Sequence, residues 1–163
     1  MVESLRMDIT KLAPEAYKHL LGLEQAIAGK LDRKLYHLLK VRASQINGCA
    51  FCIGMHTDEA LRDGDTPERL FLLDAWHESS KFSEKEQAAL KWIEELTLIA
   101  DSHASSEAFD SLKRFFSEEE IAYLTLTAAV INAWNRIAIS SRAQYDPAMF
   151  HRHAEPAKVV EPA

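Results

Sequence analysis

The segment LLKVRASQINGCAFCIGMHTDEALRDG, residues 38–64, carries the clearest structural signals in this 163-residue chain. Its apolar residues recur at helical spacing up to Asn47-Gly48, a dipeptide that typically ends a helix. A second helix is predicted to begin at about Cys49 and to stop before Asp63-Gly64-Asp65, which has the composition of a helix C-cap and turn. The segment therefore predicts two consecutive helices joined by a tight break.

The rest of the chain also has the pattern of helices. It contains five Gly and five Pro and shows no sustained alternation of apolar and polar residues, so strands have little support. Thr66-Pro67 is typical of a helix start, and Ser83 and Ser117 each precede a glutamate by three residues, as in a capping box. We predict an all-α fold over 1–163, a single bundle of six to seven helices, with a core at about 15–142 and a frayed tail over 146–163.

Composition excludes several classes of partner. The net charge is -6, and acidic and basic residues are interleaved, so no basic face is available to neutralise the phosphates of a nucleic acid. No apolar run approaches the roughly 20 residues that span a bilayer, and the first residues, MVESLRMDITKL, lack the apolar core of a secretory signal. We expect a soluble, cytoplasmic protein that binds neither nucleic acid nor membrane.

The last long helix is predicted to be buried on more than one side. Its sequence LTLTAAVINAW, residues 124–134, is apolar around most of the helix, and a helix of this kind requires burial all round. In a small domain this pattern indicates a subunit interface. The polar residues Asn132, Trp134, Asn135 and Arg136 interrupt it, and we interpret them as an interhelical or intersubunit hydrogen-bond network.

The two cysteines and one histidine have the spacing of a reactive site. Three positions separate Cys49 from Cys52 and four separate Cys52 from His56, so the three side chains share one face of a helix. Cys49 lies in the first turn, where free amides and the helix dipole lower the pKa of a thiol. His56, one turn beyond Cys52, is placed to accept the proton of that thiol. This spacing favours a redox-active dithiol.

Two other roles for the cysteines remain open at this stage. A structural disulfide across so short a loop would hardly constrain the unfolded chain, so this role has little support. A zinc site could use Cys49, Cys52 and His56, with His37 from the preceding helix as a fourth ligand. The chain lacks the second pair of ligands that structural zinc sites usually have, which weighs against this interpretation.

The cysteine segment resembles the alkylhydroperoxidase D-like branch of the carboxymuconolactone decarboxylase superfamily. The resemblance rests on residues 38–64, with weaker support from RLFLLDAWHESSKFSEKEQAALKW and FSEEEIAYLTLTAAVINAWNRIAI, and covers roughly residues 15–142. It implies an all-helical fold and assembly as a homotrimer or homohexamer. The decarboxylase branch lacks the cysteine pair, so lactone decarboxylation is a poor expectation for this chain.

The resemblance also implies roles for individual residues. Cys52 would react with a hydroperoxide, Cys49 would resolve it as an intramolecular disulfide, and His56 would belong to a proton relay serving Cys52. The family's relay glutamate lies twelve residues before the first cysteine, and His37 occupies that position here. Either His37 replaces the glutamate, or the relay uses another acid such as Glu59 or Glu24.

We therefore expect an antioxidant oxidoreductase that reduces hydroperoxides through a Cys-x-x-Cys pair. The sequence contains no dinucleotide or phosphate-loop fingerprint, so no cofactor is expected and the electrons must come from an external dithiol or a protein reductant. The alternative is a helical oligomer without turnover that binds zinc or senses redox state through its cysteines.

Overall fold

The computed structural model describes residues 4–150, and the described part of the chain is built from helices and connecting turns. The all-α prediction is confirmed. The helices are α1 (Ile9–Leu12), α2 (Pro14–Ile27), α3 (Arg33–Asn47), α4 (Ala50–Arg62), α5 (Pro67–Leu72), a 3-10 helix (Leu73–Glu78), α6 (Glu84–Thr97), α7 (Ile99–Ser102), α8 (Ser106–Leu112), α9 (Glu118–Ser141) and α10 (Pro147–Phe150).

Helix α3 lies at the centre of the fold and packs against α4, α6 and α9. It is buried around most of its circumference, since Leu35, Leu38, Leu39 and Val41 and also the polar residue Lys40 are shielded from solvent. A central helix of this kind needs polar partners for its buried polar groups. It therefore brings polar as well as apolar side chains into the interior of the domain.

The local signals in the sequence place the helix ends correctly. Ser83 and Ser117 each form a reciprocal capping box with the glutamate three residues on, and the Thr66 side chain accepts from an amide at the start of α5. The helix that contains Cys52 ends at Arg62, directly before the predicted turn. The short helices α1, α7 and α10 add to the six to seven that the pattern predicts, because four-residue helices have no detectable periodicity.

The polar residues of α9 form the predicted interhelical network. The Asn47 amide donates to the side-chain oxygens of Asn132 and Asn135 at 3.0 and 2.8 Å, and Asn135 donates to Ser44 Oγ at 3.0 Å. These bonds join α9 to the end of α3, directly before the cysteines. They hold the break between α3 and α4 against the longest helix of the fold.

Two other predictions concern surfaces and the tail. Leu126 and Ile139 on α9 are exposed at 39% and 47%, and the predicted subunit interface on this helix stays a prediction. The first residues of the predicted frayed tail form α10, and residues 151–163 lie outside the described residues.

None of the helices within 4–150 combines the length and apolar character that crossing a membrane requires.

Candidate active site

The break between α3 and α4 positions the first cysteine. Gly48 adopts a left-handed conformation with φ of 68°, and the amide of Cys49 donates back to Ser44 O at 2.9 Å. Glycine is favoured at such a position because it has no side chain to clash. Cys49 is consequently the N-cap of α4, and its sulfur accepts from the amide of Cys52 at 3.4 Å.

The two thiols are adjacent and buried. Their Sγ atoms lie 2.7 Å apart, both cysteines are free, and their exposed fractions are 1% for Cys49 and 2% for Cys52. The prediction that the spacing brings both sulfurs to one side of the helix is confirmed. The two sulfurs are close enough for oxidation to join them after a small further approach.

The environment makes the two thiols unequal. The hydrogen bond from the Cys52 thiol, with smaller contributions from backbone amides and Asn135, outweighs burial and lowers the pKa of Cys49 to about 7. The same hydrogen bond and burial raise the pKa of Cys52 above its ordinary value. When one of the two thiols ionises, this environment favours the negative charge on Cys49 and the proton on Cys52.

His56 is the base nearest to Cys52 along the helix. It is 2% exposed, its Nδ1 lies 2.6 Å from Glu59 Oε2, and its Nε2 has no hydrogen-bond partner. Burial lowers the pKa of His56, which favours a neutral ring. A carboxylate at Nδ1 places the single proton there and leaves Nε2 as the acceptor.

Glu59 is the acid that contacts the two histidines. Its Oε2 lies 3.3 Å from His37 Nδ1 as well as 2.6 Å from His56 Nδ1. Burial acts to raise the pKa of Glu59, but the two neighbouring imidazoles outweigh it and hold the pKa well below its ordinary value. Glu59 therefore carries a negative charge between two imidazole rings.

His37 lies beside Glu59, and Glu59 rather than His37 is the acid in contact with His56. His37 Nε2 lies 2.9 Å from Asp63 Oδ2, and its Nδ1 is buried without a directed hydrogen bond. The other acid considered from the sequence, Glu24, instead accepts from Tyr36, Lys40 and Trp134. Of the alternatives that the sequence leaves open, the structure joins His37 and Glu59 to His56, whereas Glu24 neutralises a buried lysine.

The same geometry bears on the zinc interpretation. Within residues 4–150, the potential metal ligands that lie together, within 4.8 Å of one another, are His37, His56 and Glu59. Neither sulfur belongs to this group. The ligand set of both cysteines with both histidines is therefore not assembled.

Each thiol borders a different cavity. Cys52, His56 and Glu59 line a cavity of about 400 Å³, whose other walls are mainly apolar and include Met55 and Trp134. A second cavity, of about 350 Å³, borders Cys49. Residues of the N-terminal segment line the first cavity, and residues at the end of α9 and just after it line both. Sequence reasoning missed both cavities, because segments distant along the chain form them.

The sequence is similar to members of one protein family. The profile of the carboxymuconolactone decarboxylase family matches residues 14–95. The uncharacterized protein YdfG of Bacillus subtilis is 38% identical over 138 residues, covering 84% of this chain and 94% of its own.

Solved structures of other proteins are also similar to this chain. A protein of unknown function from Agrobacterium tumefaciens, described as an AhpD candidate in antioxidant defence, superposes with a TM-score of 0.85 and 40% identity, covering 88% of this chain and 99% of its own. An alkylhydroperoxidase AhpD core protein from Ralstonia eutropha JMP134 has a TM-score of 0.75 and 16% identity, covering 87% and 76%. This last similarity supports the fold alone.

Proposed function

Because the chain belongs to the carboxymuconolactone decarboxylase family, in its AhpD-like branch, we propose that it is a thiol-dependent reductase of organic hydroperoxides. One observation carries the proposal: Cys52 and His56 line the same apolar cavity, while Cys49 Sγ lies 2.7 Å from Cys52 Sγ on its other side. An attacking thiol, its base and a resolving thiol thus lie within about two turns at the start of α4, counting its N-cap.

In the first step, a hydroperoxide enters the cavity lined by Cys52, His56 and Glu59 and contacts the Cys52 thiol. His56 Nε2 accepts the thiol proton, and the sulfur attacks the terminal peroxide oxygen. The S–O bond forms as the O–O bond breaks, and the departing alkoxide takes the proton from His56. The products are an alcohol and a sulfenic acid on Cys52. Glu59 stabilises the imidazolium that forms between the two proton transfers.

In the second step, Cys49 resolves the sulfenic acid. The Cys49 thiolate attacks the sulfur of Cys52, the S–S bond forms, and hydroxide leaves and is protonated to water. The lowered pKa of Cys49, about 7, suits this role because the thiolate is the attacking form. The unequal thiols therefore match two different steps: Cys52 needs a base at the moment of attack, and Cys49 is ionised in advance.

The cycle closes when an external dithiol reduces the disulfide. The cavity beside Cys49 offers a second approach to the sulfurs, separate from the cavity at Cys52. A small dithiol or a protein reductant supplies two electrons and two protons, which restores both thiols. We also propose that the chain works as a homotrimer or homohexamer, which light scattering of the purified protein tests.

Peroxide turnover by single variants tests the proposal. With cumene hydroperoxide and dithiothreitol, Cys52→Ser is expected to abolish turnover, and Cys49→Ser to stop after one oxidation with a sulfenic or mixed-disulfide species on Cys52. His56→Ala is expected to lower the rate by roughly 10²-fold or more. His77→Ala, at a histidine whose side chain is 55% exposed, is the matched control and is expected to be as active as wild type. Wild-type turnover by Cys52→Ser would contradict the proposal.

A further inference from the structure

We propose that His37, His56 and Glu59 form an inhibitory binding site for a divalent cation of the zinc type. One donor atom from each side chain lies within 4.8 Å of the others. The site is separate from the sulfurs, and it uses the histidine that stands where the related family has its relay glutamate. Two imidazoles and one carboxylate are a donor set typical of zinc.

His37 is arranged as a metal ligand. It is 8% exposed, its Nε2 lies 2.9 Å from Asp63 Oδ2, and its Nδ1 is buried 3.3 Å from Glu59 Oε2 without forming a hydrogen bond. A carboxylate that binds one ring nitrogen places the proton there and leaves the lone pair of the other nitrogen free for a metal. A buried nitrogen without a partner otherwise carries a cost in free energy, which a cation would remove.

The remaining distances fit an ion after a small adjustment. Ligands of a tetrahedral zinc ion lie roughly 3.3 Å apart, given bonds of about 2.0–2.2 Å. The distance from Glu59 Oε2 to His37 Nδ1 is 3.3 Å, and that to His56 Nδ1 is 2.6 Å. The second must widen by roughly 0.7 Å to match the zinc geometry. The Glu59 side chain is 38% exposed, so it has room to move and gives an ion a route from solvent.

The charges around the cluster are compatible with a dication. Glu59 and Asp63 provide negative charge at the site, and Asp63 also binds Arg33 at the surface. The nearest buried cation, Lys40, is paired with Glu24. With three protein ligands the ion keeps an open position for water, as in zinc sites built from two histidines and one glutamate.

Binding would disable the base of the proposed reaction, and this consequence rests on the proposed function. A cation on His56 Nδ1 moves the single proton of the neutral ring to Nε2. His56 Nε2 is then a donor and is unable to accept the Cys52 proton. Cation binding at this site therefore stops the first step while leaving both thiols unligated.

Zinc titration of a cysteine-free chain tests the site directly. The double variant Cys49→Ser/Cys52→Ser is expected to bind one Zn²⁺ per chain by isothermal calorimetry. Adding His37→Asn is expected to weaken binding by about 100-fold or more, and adding Asp63→Asn by about 10- to 100-fold, because Asp63 acts through His37. His77→Asn in the same background is expected to have no effect.

The outcomes separate this inference from the proposed function. Absence of Zn²⁺ binding by the cysteine-free chain, or unchanged binding after His37→Asn, would overturn the site. If His37→Asn fails to fold, as judged by circular dichroism, Asp63→Asn decides, and its unchanged affinity would overturn the site. A wild-type protein that reduces no peroxide would refute the proposed function without affecting this titration.

Cobalt provides a second readout in the wild type. Co²⁺ bound to His37, His56 and Glu59 is expected to give no thiolate-to-metal charge-transfer band, and Zn²⁺ is expected to inhibit peroxide turnover. A strong charge-transfer band at one equivalent of Co²⁺ would place the ion on the cysteines and overturn the proposal.

Discussion

Replacing Glu59 with glutamine removes a negative charge beside His56 and preserves the size of the side chain. His56 must become positive when it accepts the Cys52 proton, and Glu59 Oε2 lies 2.6 Å from its Nδ1. Two unit charges about 4 Å apart interact by about 4 kcal/mol at an effective dielectric constant of about 20. Because Glu59 is 38% exposed, water screens part of this energy and about 2–3 kcal/mol remains. The oxidation of Cys52 should therefore slow by roughly 10²-fold.

The assay is a single turnover. Reduced protein is mixed with excess cumene hydroperoxide, quenched with acid at successive times, and its remaining thiols are counted. The control is Glu68→Gln, which removes a charge from a side chain that is 63% exposed and should leave the rate unchanged. A rate for Glu59→Gln within about threefold of wild type would refute the assignment of Glu59 as the partner of His56.

Three further predictions concern stability and the reactivity of the thiols. Glu24→Gln leaves a buried lysine unpaired and should lower the free energy of unfolding by about 3 kcal/mol in urea; a loss below about 1 kcal/mol would contradict this. Thiolate absorbance should rise as pH increases through about 7, and this step should be lost in Cys49→Ser; a first step no lower than the ordinary pKa of a free cysteine thiol would be inconsistent with the site. In Gly54→Ala the new Cβ would lie 2.5 Å from the Tyr145 ring, so the ring must move and the free energy of unfolding in urea should fall by about 1 kcal/mol or more. Gly22→Ala, which meets no atom within 4 Å, should not lower it, and equal stabilities of the two variants would argue against the contact.

The sequence predicts the part of the site that lies within one helix. Cys49, Cys52 and His56 are related by helical geometry alone, so their spacing predicts that they share a side of α4 before any packing is known. The end of α3 is equally local, because Gly48 is a strong stop signal. These features require no information about distant contacts.

The identity of the acid was not decided by the sequence because it depends on packing between helices. By sequence, Glu59 and Glu24 are both candidates for the acid of the proton relay. The packing of α3 against α4 brings His37 into contact with Glu59. Glu24 is engaged elsewhere because Lys40, on the buried face of α3, requires a partner. The cavities escaped prediction for the same reason, since segments distant along the chain form their walls.

The most direct test of the central claim is the state of the two sulfurs after one equivalent of organic hydroperoxide. Intact mass and peptide mapping of the fully reduced protein should show loss of two hydrogen atoms and a disulfide between Cys49 and Cys52, with no other residue modified. If both thiols remain free while the peroxide persists, or if Cys52 alone is oxidised without closing onto Cys49, the account of a resolving pair is contradicted.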